Sequence, residues 1–224
     1  VGGTVNTVVK RATADAEQPL ELLASYGRFD TYQFGLGGST QLSDSAWLRM
    51  DVNQYGSDGH VDRMDPESIN VTTSLLWKAT EKLDVEFQID YLDDQLADYW
   101  GTPLVPKRVA TTPLSDVVST NTGETLDEQA RFRNFNVRDS RAVSDQLLFR
   151  VDLSWRLSDD IELKNTTYSF NADRDWGNAE GYVYCTAVVD VCTETDVIQR
   201  YYGYFFVTHD QDLLGNRLTA NINS

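Results

Sequence analysis

One stretch of the sequence alternates so strictly that it restricts the fold of the whole chain. Residues 146–157 read QLLFRVDLSWRL, and from Phe149 onward every second residue is apolar while the residues between are charged or polar. A strand sends successive side chains to opposite faces, whereas a helix would scatter these residues around its axis. The stretch therefore predicts a long β-strand with one apolar face and one charged face.

Two kinds of protein contain strands of this type. Membrane β-barrels turn the apolar side chains toward lipid and the polar ones toward the interior, and soluble antiparallel sandwiches alternate in the same way. The same pattern predicts further strands at residues 20–29, 31–42, 47–55, 69–78, 85–91, 161–171 and 201–209, with another beginning at 217–222.

One predicted strand departs from the alternation. In residues 161–171, Tyr168 and Phe170 fall out of the register that Ile161 and Leu163 set. This predicts either a β-bulge or an upper half that does not face lipid.

The lengths of the connections separate the two folds. After a tight first link at Phe29-Asp30, short turns at 43–45, 80–82, 158–160 and 213–216 alternate with longer loops, including an aperiodic insert at 93–142 and a loop at 174–199. Membrane barrels have short turns at one end and long loops at the other, whereas a sandwich has no reason to keep its long loops together.

Tryptophan positions agree with the membrane barrel. Trp47, Trp77 and Trp155 each lie a few residues from a short turn, where an aromatic girdle would meet the membrane interface. We therefore predict an all-β, antiparallel transmembrane β-barrel. About eight strands and the start of a ninth would not close a barrel with such loops, so we expect the chain to be a piece of a longer protein.

Composition excludes several functions. The chain has 19 Lys and Arg against 35 Asp and Glu, a net charge of −16, which argues against nucleic acid because the phosphate backbone requires a basic surface. No apolar run approaches the ~20 residues that a membrane helix needs. His60 and His209 are isolated from other metal ligands, and we expect no cofactor.

The two cysteines form a close pair, Cys185 and Cys192, in the stretch CTAVVDVC. A single close pair suits a disulfide in an oxidising compartment such as the periplasm or the cell surface. Two free thiols are the alternative. A zinc site is disfavoured because no His lies nearby.

Several segments resemble TonB-dependent outer-membrane receptors. VGGTVNTVVKR, at the start of the chain, resembles the end of their plug domain, and ASYGRFDTYQFGLGGS, DVNQYGSDGHVD and HDQDLLGNRLTANINS resemble early barrel strands of the siderophore-receptor branch. The resemblance implies that residues 1–12 end a plug domain and that residues 19–224 begin a plugged barrel of roughly 22 strands. It also implies the outer membrane of a Gram-negative bacterium.

The resemblance further implies a function without catalysis. Such receptors bind a ferric siderophore from outside and import it with energy delivered by TonB, so iron enters only as part of the ligand. We expect the ferric siderophore, outer-membrane lipid and lipopolysaccharide as partners, and the TonB complex through a segment outside this chain. The alternatives are a related receptor for cobalamin or a saccharide, an outer-membrane barrel enzyme, and a soluble sandwich for adhesion or sugar binding.

The loops are similar to those of ferrichrome-type hydroxamate receptors, in which aromatic residues of the third and fourth loops face the ligand. That similarity implies a ligand site formed by Tyr99, Trp100, Tyr182 and Tyr184, to which we add Trp176. Aromatic faces offer a bulky chelate rigid contact area at low entropic cost. The alternative is that these aromatic side chains only pack the loops together.

Three loop arginines could meet an anionic chelate. They are Arg108, Arg131 and Arg133, all in the long insert. Loop arginines are more often solvated or paired with nearby acids.

Overall fold

The computed structural model describes residues 9–14, 20–119, 123–179, 181–200 and 203–222. Its strands in chain order are β1 (Glu21–Tyr26), β2 (Tyr32–Ser43), β3 (Ala46–Gly56), β4 (Glu67–Thr80), β5 (Leu83–Gln95), β6 (Val105–Pro106), β7 (Pro113–Ser119), β8 (Glu124–Asp127), β9 (Arg141–Arg156), β10 (Ile161–Ala179), β11 (Tyr182–Cys185), β12 (Val197–Arg200) and β13 (Tyr204–Ile222). A 3-10 helix spans Glu128–Ala130. Nowhere in the described ranges is there a helix of the length and apolarity required to cross a bilayer.

Eight of these strands form one open antiparallel sheet in the order β1-β2-β3-β4-β5-β9-β10-β13. Leu153 lies opposite Val85, and Val151 lies opposite Phe87. Directly opposed residues share a face, so the apolar residues of neighbouring strands such as β5 and β9 lie on one face of the sheet. Phe149 and Leu153 on that face are 42% and 37% exposed. The described part of the chain places no second β-layer over them, so its strands do not form the sandwich that was the alternative.

The opposite, charged face is covered by residues 9–14. The Arg11 guanidinium lies 3.2 Å from a carboxylate oxygen of Glu86 and 3.7 Å from one of Asp152. Next to it, the backbone N–H of Ala12 donates to the Ser74 hydroxyl at 2.5 Å. The segment that precedes β1 therefore packs against the charged face, which is the enclosed side of the sheet.

Charges on this face also pair within and between strands. Arg49 in β3 is only 3% exposed, and its guanidinium binds both carboxylate oxygens of Asp51 at 2.7 Å. Glu21 in β1 adds a third contact at 3.3 Å. A buried guanidinium is tolerated here because carboxylates compensate its lost hydration.

The connections follow the predicted parity. Short links at 44–45, 81–82 and 157–160 lie at one end of the sheet, and connections 57–66, 96–140 and 180–203 lie at the other. We call these the turn end and the loop end. The long insert is not aperiodic as predicted, because β6, β7 and β8 form a small sheet within it. β9 also begins at Arg141, earlier than the predicted residue 146.

Tryptophan positions at the turn end confirm only part of the predicted girdle. Trp77 and Trp155 lie on the apolar face and are 45% and 49% exposed. Trp47 lies on the charged face, where it is buried and the Lys78 ammonium sits 5.3 Å from its ring centre. Successive residues of a strand point to opposite faces. Leu48 and Met50 are on the apolar face of β3, so Trp47 is on the charged face.

Of the two alternatives predicted for residues 161–171, the bulge is wrong. β10 pairs with β9 and β13 in unbroken register along its length. Tyr168 lies opposite Arg150, so Tyr168 and Phe170 are on the charged face. On the opposite face of β10, the residues between Leu163 and the loop end are polar: Asn165, Thr167, Ser169 and Asn171.

The predicted turn at 213–216 is also wrong, because β13 is continuous through it. Gly215 lies opposite Tyr168, and a Cβ at Gly215 would come within 2.3 Å of the Tyr168 ring. The amide of Asn216 bonds across the strands to Asn165 at 3.1 Å and to Thr167 at 2.7 Å. The glycine therefore serves a close cross-strand approach rather than a turn.

Replacement of Val151 by Lys tests which face meets lipid. Val151 is near the middle of β9 on the apolar face, so we expect Val151→Lys to destabilise the full-length protein in bilayers by about 2–4 kcal/mol. Ser154→Lys, on the charged face beside Glu162, is the control and should cost less than about 1 kcal/mol. Urea unfolding in phospholipid vesicles measures both, and equal effects would contradict the assignment of the faces.

Candidate functional site

An aromatic cluster lies at the loop end of the sheet. The indole of Trp100, in the long insert, stacks on that of Trp176 in β10 with ring centres 5.7 Å apart and an interplanar angle of 29°. Phe205 in β13 meets Trp176 edge-on at 5.7 Å and 75°. We call Trp100, Trp176 and Phe205 the aromatic cluster.

Strand register places the cluster on the enclosed side of the sheet. Thr166 in β10 lies opposite Asp152, and Trp176 lies opposite Ala142 in the same unbroken pairing. Even-numbered residues of β10 therefore share the face that carries Arg150 and Asp152. Trp176 is on the charged face, ten residues closer to the loop end than Thr166.

A cavity of about 430 Å³ adjoins Trp176. Arg174, His209 and Gln146 line it with hydrogen-bonding groups, and Asp94 adds a carboxylate. A cavity that combines an aromatic wall with a few polar groups is typical of sites for bulky, partly apolar ligands. The arrangement can hold such a ligand by stacking and orient it by hydrogen bonds, with no reacting group required.

Tyr99 points away from the cluster although it is next to Trp100 in the chain. Its hydroxyl lies 2.6 Å from that of Thr102, and its ring meets His60 edge-on at 5.9 Å. The two residues of the predicted Tyr99 and Trp100 pair therefore have different neighbours, and only Trp100 is in the aromatic cluster.

Tyr182 and Tyr184 lie on β11, in the connection between β10 and β13. Tyr182 packs edge-on against Phe135 at 6.3 Å, and burial raises the pKa of its hydroxyl. The Tyr184 hydroxyl donates to Asp196 at 3.1 Å, and burial followed by this bond raises its pKa. Among the ring contacts of the described residues, none joins either tyrosine to the aromatic cluster. Their ligand role stays a prediction.

Two arginines hold one stretch of the long insert. Arg63, in connection 57–66, donates to three carbonyl oxygens of segment 134–137 at 2.8, 3.1 and 3.2 Å. Arg200, at the end of β12, donates to two carbonyl oxygens of the same segment at 3.1 and 3.3 Å. Segment 134–137 thus joins all three of the long loop-end connections.

The same segment positions both tryptophans. The side-chain amide of Asn134 donates to the carbonyl of Asp98 at 3.2 Å, two residues before Trp100. The side-chain oxygen of Asn136 accepts the backbone N–H of Ala179 at 2.9 Å, three residues after Trp176. Asn136 is 1% exposed, so these bonds lie away from water and are costly to break.

The predicted disulfide is confirmed. Cys185 and Cys192 are bonded, with their Cα atoms 5.5 Å apart. Both are buried, whereas Val188, Val189 and Val191 between them are exposed. The bond closes a short ring at the tip of the connection that carries Tyr184.

The sequence alone did not identify Phe205, Arg174 or His209 as site residues. Phe205 and His209 lie close to Trp176 because β10 pairs with β13, whereas Arg174 is two residues before Trp176 on the same face of β10. The aromatic residues near Phe205 were visible in the sequence. A correct prediction of the pairing between β10 and β13 would have identified Phe205 as a site residue.

The chain is similar in structure to parts of solved siderophore receptors. It matches the siderophore receptor PiuA from Acinetobacter baumannii at 12% identity and a TM-score of 0.64, over 92% of this chain and 28% of that one. It matches the ferric-catecholate import receptor Fiu from E. coli K12 at 14% identity and a TM-score of 0.71 in an open form, over 94% of this chain and 32% of that one. A closed form of Fiu gives 15% identity, a TM-score of 0.68, and coverage of 97% and 30%.

These matches confirm the fold class, an antiparallel barrel-type sheet of which this chain is an open fragment. The chain spans about a third of the length of each matched receptor. No protein-family model matches the chain, and no curated protein matches it.

Replacement of Asn136 by Ala tests whether segment 134–137 positions the tryptophans. We expect Asn136→Ala to leave the sheet intact but to destabilise the loop end by about 1–3 kcal/mol, because buried backbone donors lose their acceptor. Exciton-coupled near-ultraviolet circular dichroism of the Trp100 and Trp176 pair should weaken. Asn221→Ala, at the turn end, is the control, and an equal loss of signal there would contradict this role.

Reduction of the disulfide should affect only its own connection. In the chain-entropy model, closure of the ring between Cys185 and Cys192 stabilises that connection by about 2.5 kcal/mol. We expect a Cys185→Ser/Cys192→Ser double variant to exchange amide hydrogens faster in β11 and β12 while β9 and β10 are unchanged. Faster exchange throughout the main sheet would contradict this prediction.

Proposed function

We propose that this chain belongs to a TonB-dependent outer-membrane receptor that binds a ferric siderophore at the aromatic cluster and imports it. The observation that carries the proposal is that Trp100 stacks on Trp176 and Phe205 meets Trp176 edge-on, with Trp176 lining a cavity on the charged face at the loop end. A chelate that enters between the long loops would meet this wall first.

The domain division follows from the same geometry. We propose that residues 1–12 end a plug domain and that residues 19–224 begin the barrel. The structure describes residues 9–12 of the first part and most of residues 20–222 of the second. The contact of Arg11 with Glu86 and Asp152 supports this division, because it places the segment before β1 against the enclosed charged face. A plug that fills the lumen would reach the wall at this point.

Surroundings and partners follow from the two faces. The exposed apolar face, with Phe149, Leu153 and Trp155, suits outer-membrane lipid and lipopolysaccharide. We propose that TonB binds a segment outside this chain and that iron enters only within its chelate, with no resident cofactor. The aromatic cluster fits transport rather than catalysis, because a ligand can be bound by stacking and hydrogen bonds without a reacting group.

The siderophore class has two candidates. The loop resemblance implies a hydroxamate, but Tyr99, Tyr182 and Tyr184 do not join the aromatic cluster, which weakens that implication. The matched receptor Fiu is described as a ferric-catecholate import receptor. The proposal is therefore for a ferric siderophore, and both chelate classes belong in its test.

Replacement of Trp176 by Ala should weaken chelate binding. For the full-length receptor in detergent, we expect Trp176→Ala to raise the Kd of the chelate that binds by about tenfold or more, because a central stacked indole is a typical binding hot spot. Titration calorimetry with a ferric tris-hydroxamate and a ferric tris-catecholate measures this.

Trp155→Ala is the matched control, because it removes an exposed indole from the apolar face at the turn end. Its Kd should stay within about twofold of the wild-type value, since distant sites act independently. Failure of the wild-type receptor to bind or import either chelate would refute the proposed function.

A further inference from the structure

A second cavity at the loop end has no role in the proposed function. It measures about 450 Å³ and lies among the β1–β2 turn, connection 57–66 and the long insert. Four aromatic rings line it: Phe29, His60, Tyr99 and Phe132. His60 is central among them, with its ring centre 6.4 Å from that of Phe29 and 5.9 Å from that of Tyr99.

Two Arg-Phe pairs form opposite parts of this cavity. The Arg28 guanidinium lies over the ring of Phe29, 4.5 Å from its centre, and the Arg131 guanidinium lies over Phe132 at 5.1 Å. A guanidinium stacked on a ring keeps its edge N–H donors free for an anion.

Connection 57–66 holds both pairs by equivalent bonds. The backbone N–H of Asp58 donates to the carbonyl of Phe29, and that of Asp62 donates to the carbonyl of Phe132, each at 2.9 Å. His60 lies between these two anchors in the chain. One short backbone stretch therefore fixes the spacing of the two Arg-Phe pairs and places the imidazole between them.

The backbone at Phe29 is strained. Its φ is +62°, in the left-handed region that bulky L-residues rarely adopt. Asn or Gly would satisfy such a turn at lower cost. Strain of this kind persists where the surrounding structure fixes it and is concentrated at functional sites. Here it directs an apolar ring, 37% exposed, to the cavity.

The charge of the cavity is opposite to that of the chain. The net charge is −16, yet no Asp or Glu is among the described residues that line the cavity. Within the described ranges, neither Arg28 nor Arg131 forms an ion pair with a carboxylate. In an acidic chain, these two exposed guanidinium groups at one cavity are available to an external anion.

We propose that this cavity binds an anionic aromatic group, with its ring among Phe29, His60 and Phe132 and its anion on Arg28 and Arg131. The cavity shares no lining residue with the one beside Trp176, so it is a separate site. The chemical class is a phenolate or an aromatic carboxylate, such as one arm of a catechol-type chelator. Only the identity of the natural ligand rests on the proposed function.

The site gives the receptor a means of discrimination between chelates. A ferric tris-catecholate carries net negative charge and exposes aromatic rings, whereas a ferric tris-hydroxamate is neutral. Guanidinium groups at the loop end would favour the anionic chelate both in affinity and in the rate of encounter. Tyr99 contacts this site and Trp100 contacts the aromatic cluster, so a ligand at one site is next to the other.

The test uses the full-length receptor in detergent with an Arg28→Gln/Arg131→Gln double variant. Salicylate, an iron-free aromatic carboxylate, is the probe, and ligand-observed NMR gives its Kd. We expect the double variant to raise this Kd at least about fivefold, because charge-assisted hydrogen bonds to the carboxylate are lost. The Kd of a ferric tris-catecholate should rise by at least the same factor, and that of a neutral ferric tris-hydroxamate should not change.

An Arg108→Gln/Arg133→Gln double variant is the matched control, since it removes the same charge from exposed positions of the same insert outside the cavity. Its salicylate Kd should remain within about twofold of the wild-type value. Equal weakening in both variants would show a diffuse charge effect and would overturn the site. Competition by inorganic phosphate as effective as that by salicylate would also overturn it, because the ring would then be irrelevant.

The design separates this proposal from the proposed function. If salicylate binding depends on Arg28 and Arg131 but no ferric chelate binds, the cavity stands and siderophore import fails. If ferric chelates bind wild type and double variant alike and salicylate does not bind, import stands and the cavity fails.

Discussion

The ion pairs between Arg11 and the carboxylates of Glu86 and Asp152 are the interaction on which the arrangement of the sheet depends. An alternating strand has to place a charged face somewhere, and isolated charges on an enclosed surface are costly. Here the segment before β1 and the neighbouring strands supply the partners. These partners offset part of that cost, and the apolar face remains exposed, as a lipid-facing surface requires.

The loop end is organised by backbone carbonyls rather than by an apolar core. Arg63 and Arg200 converge on segment 134–137, and Asn134 and Asn136 extend from that segment to the chain beside each tryptophan. Guanidinium donors suit this role because their planar fork contacts several carbonyls at once. The aromatic cluster therefore depends on contacts between three connections that are far apart in sequence.

The two cavities at the loop end differ in chemistry. The cavity beside Trp176 is lined by one indole and by mixed polar groups. The cavity beside His60 has aromatic rings and guanidinium groups with no carboxylate among its described lining residues.

The sequence by itself determined most strands of the main sheet, the alternation of their two faces, the order of short and long connections and the disulfide, because these depend on side-chain alternation and on near neighbours in the chain. Tertiary structure alone decided the rest. Gly215 belongs to a strand because Tyr168 lies across from it, and Trp100 reaches Trp176 and Phe205 through pairing and loop contacts over long sequence separations. Local propensity carries no information about such contacts.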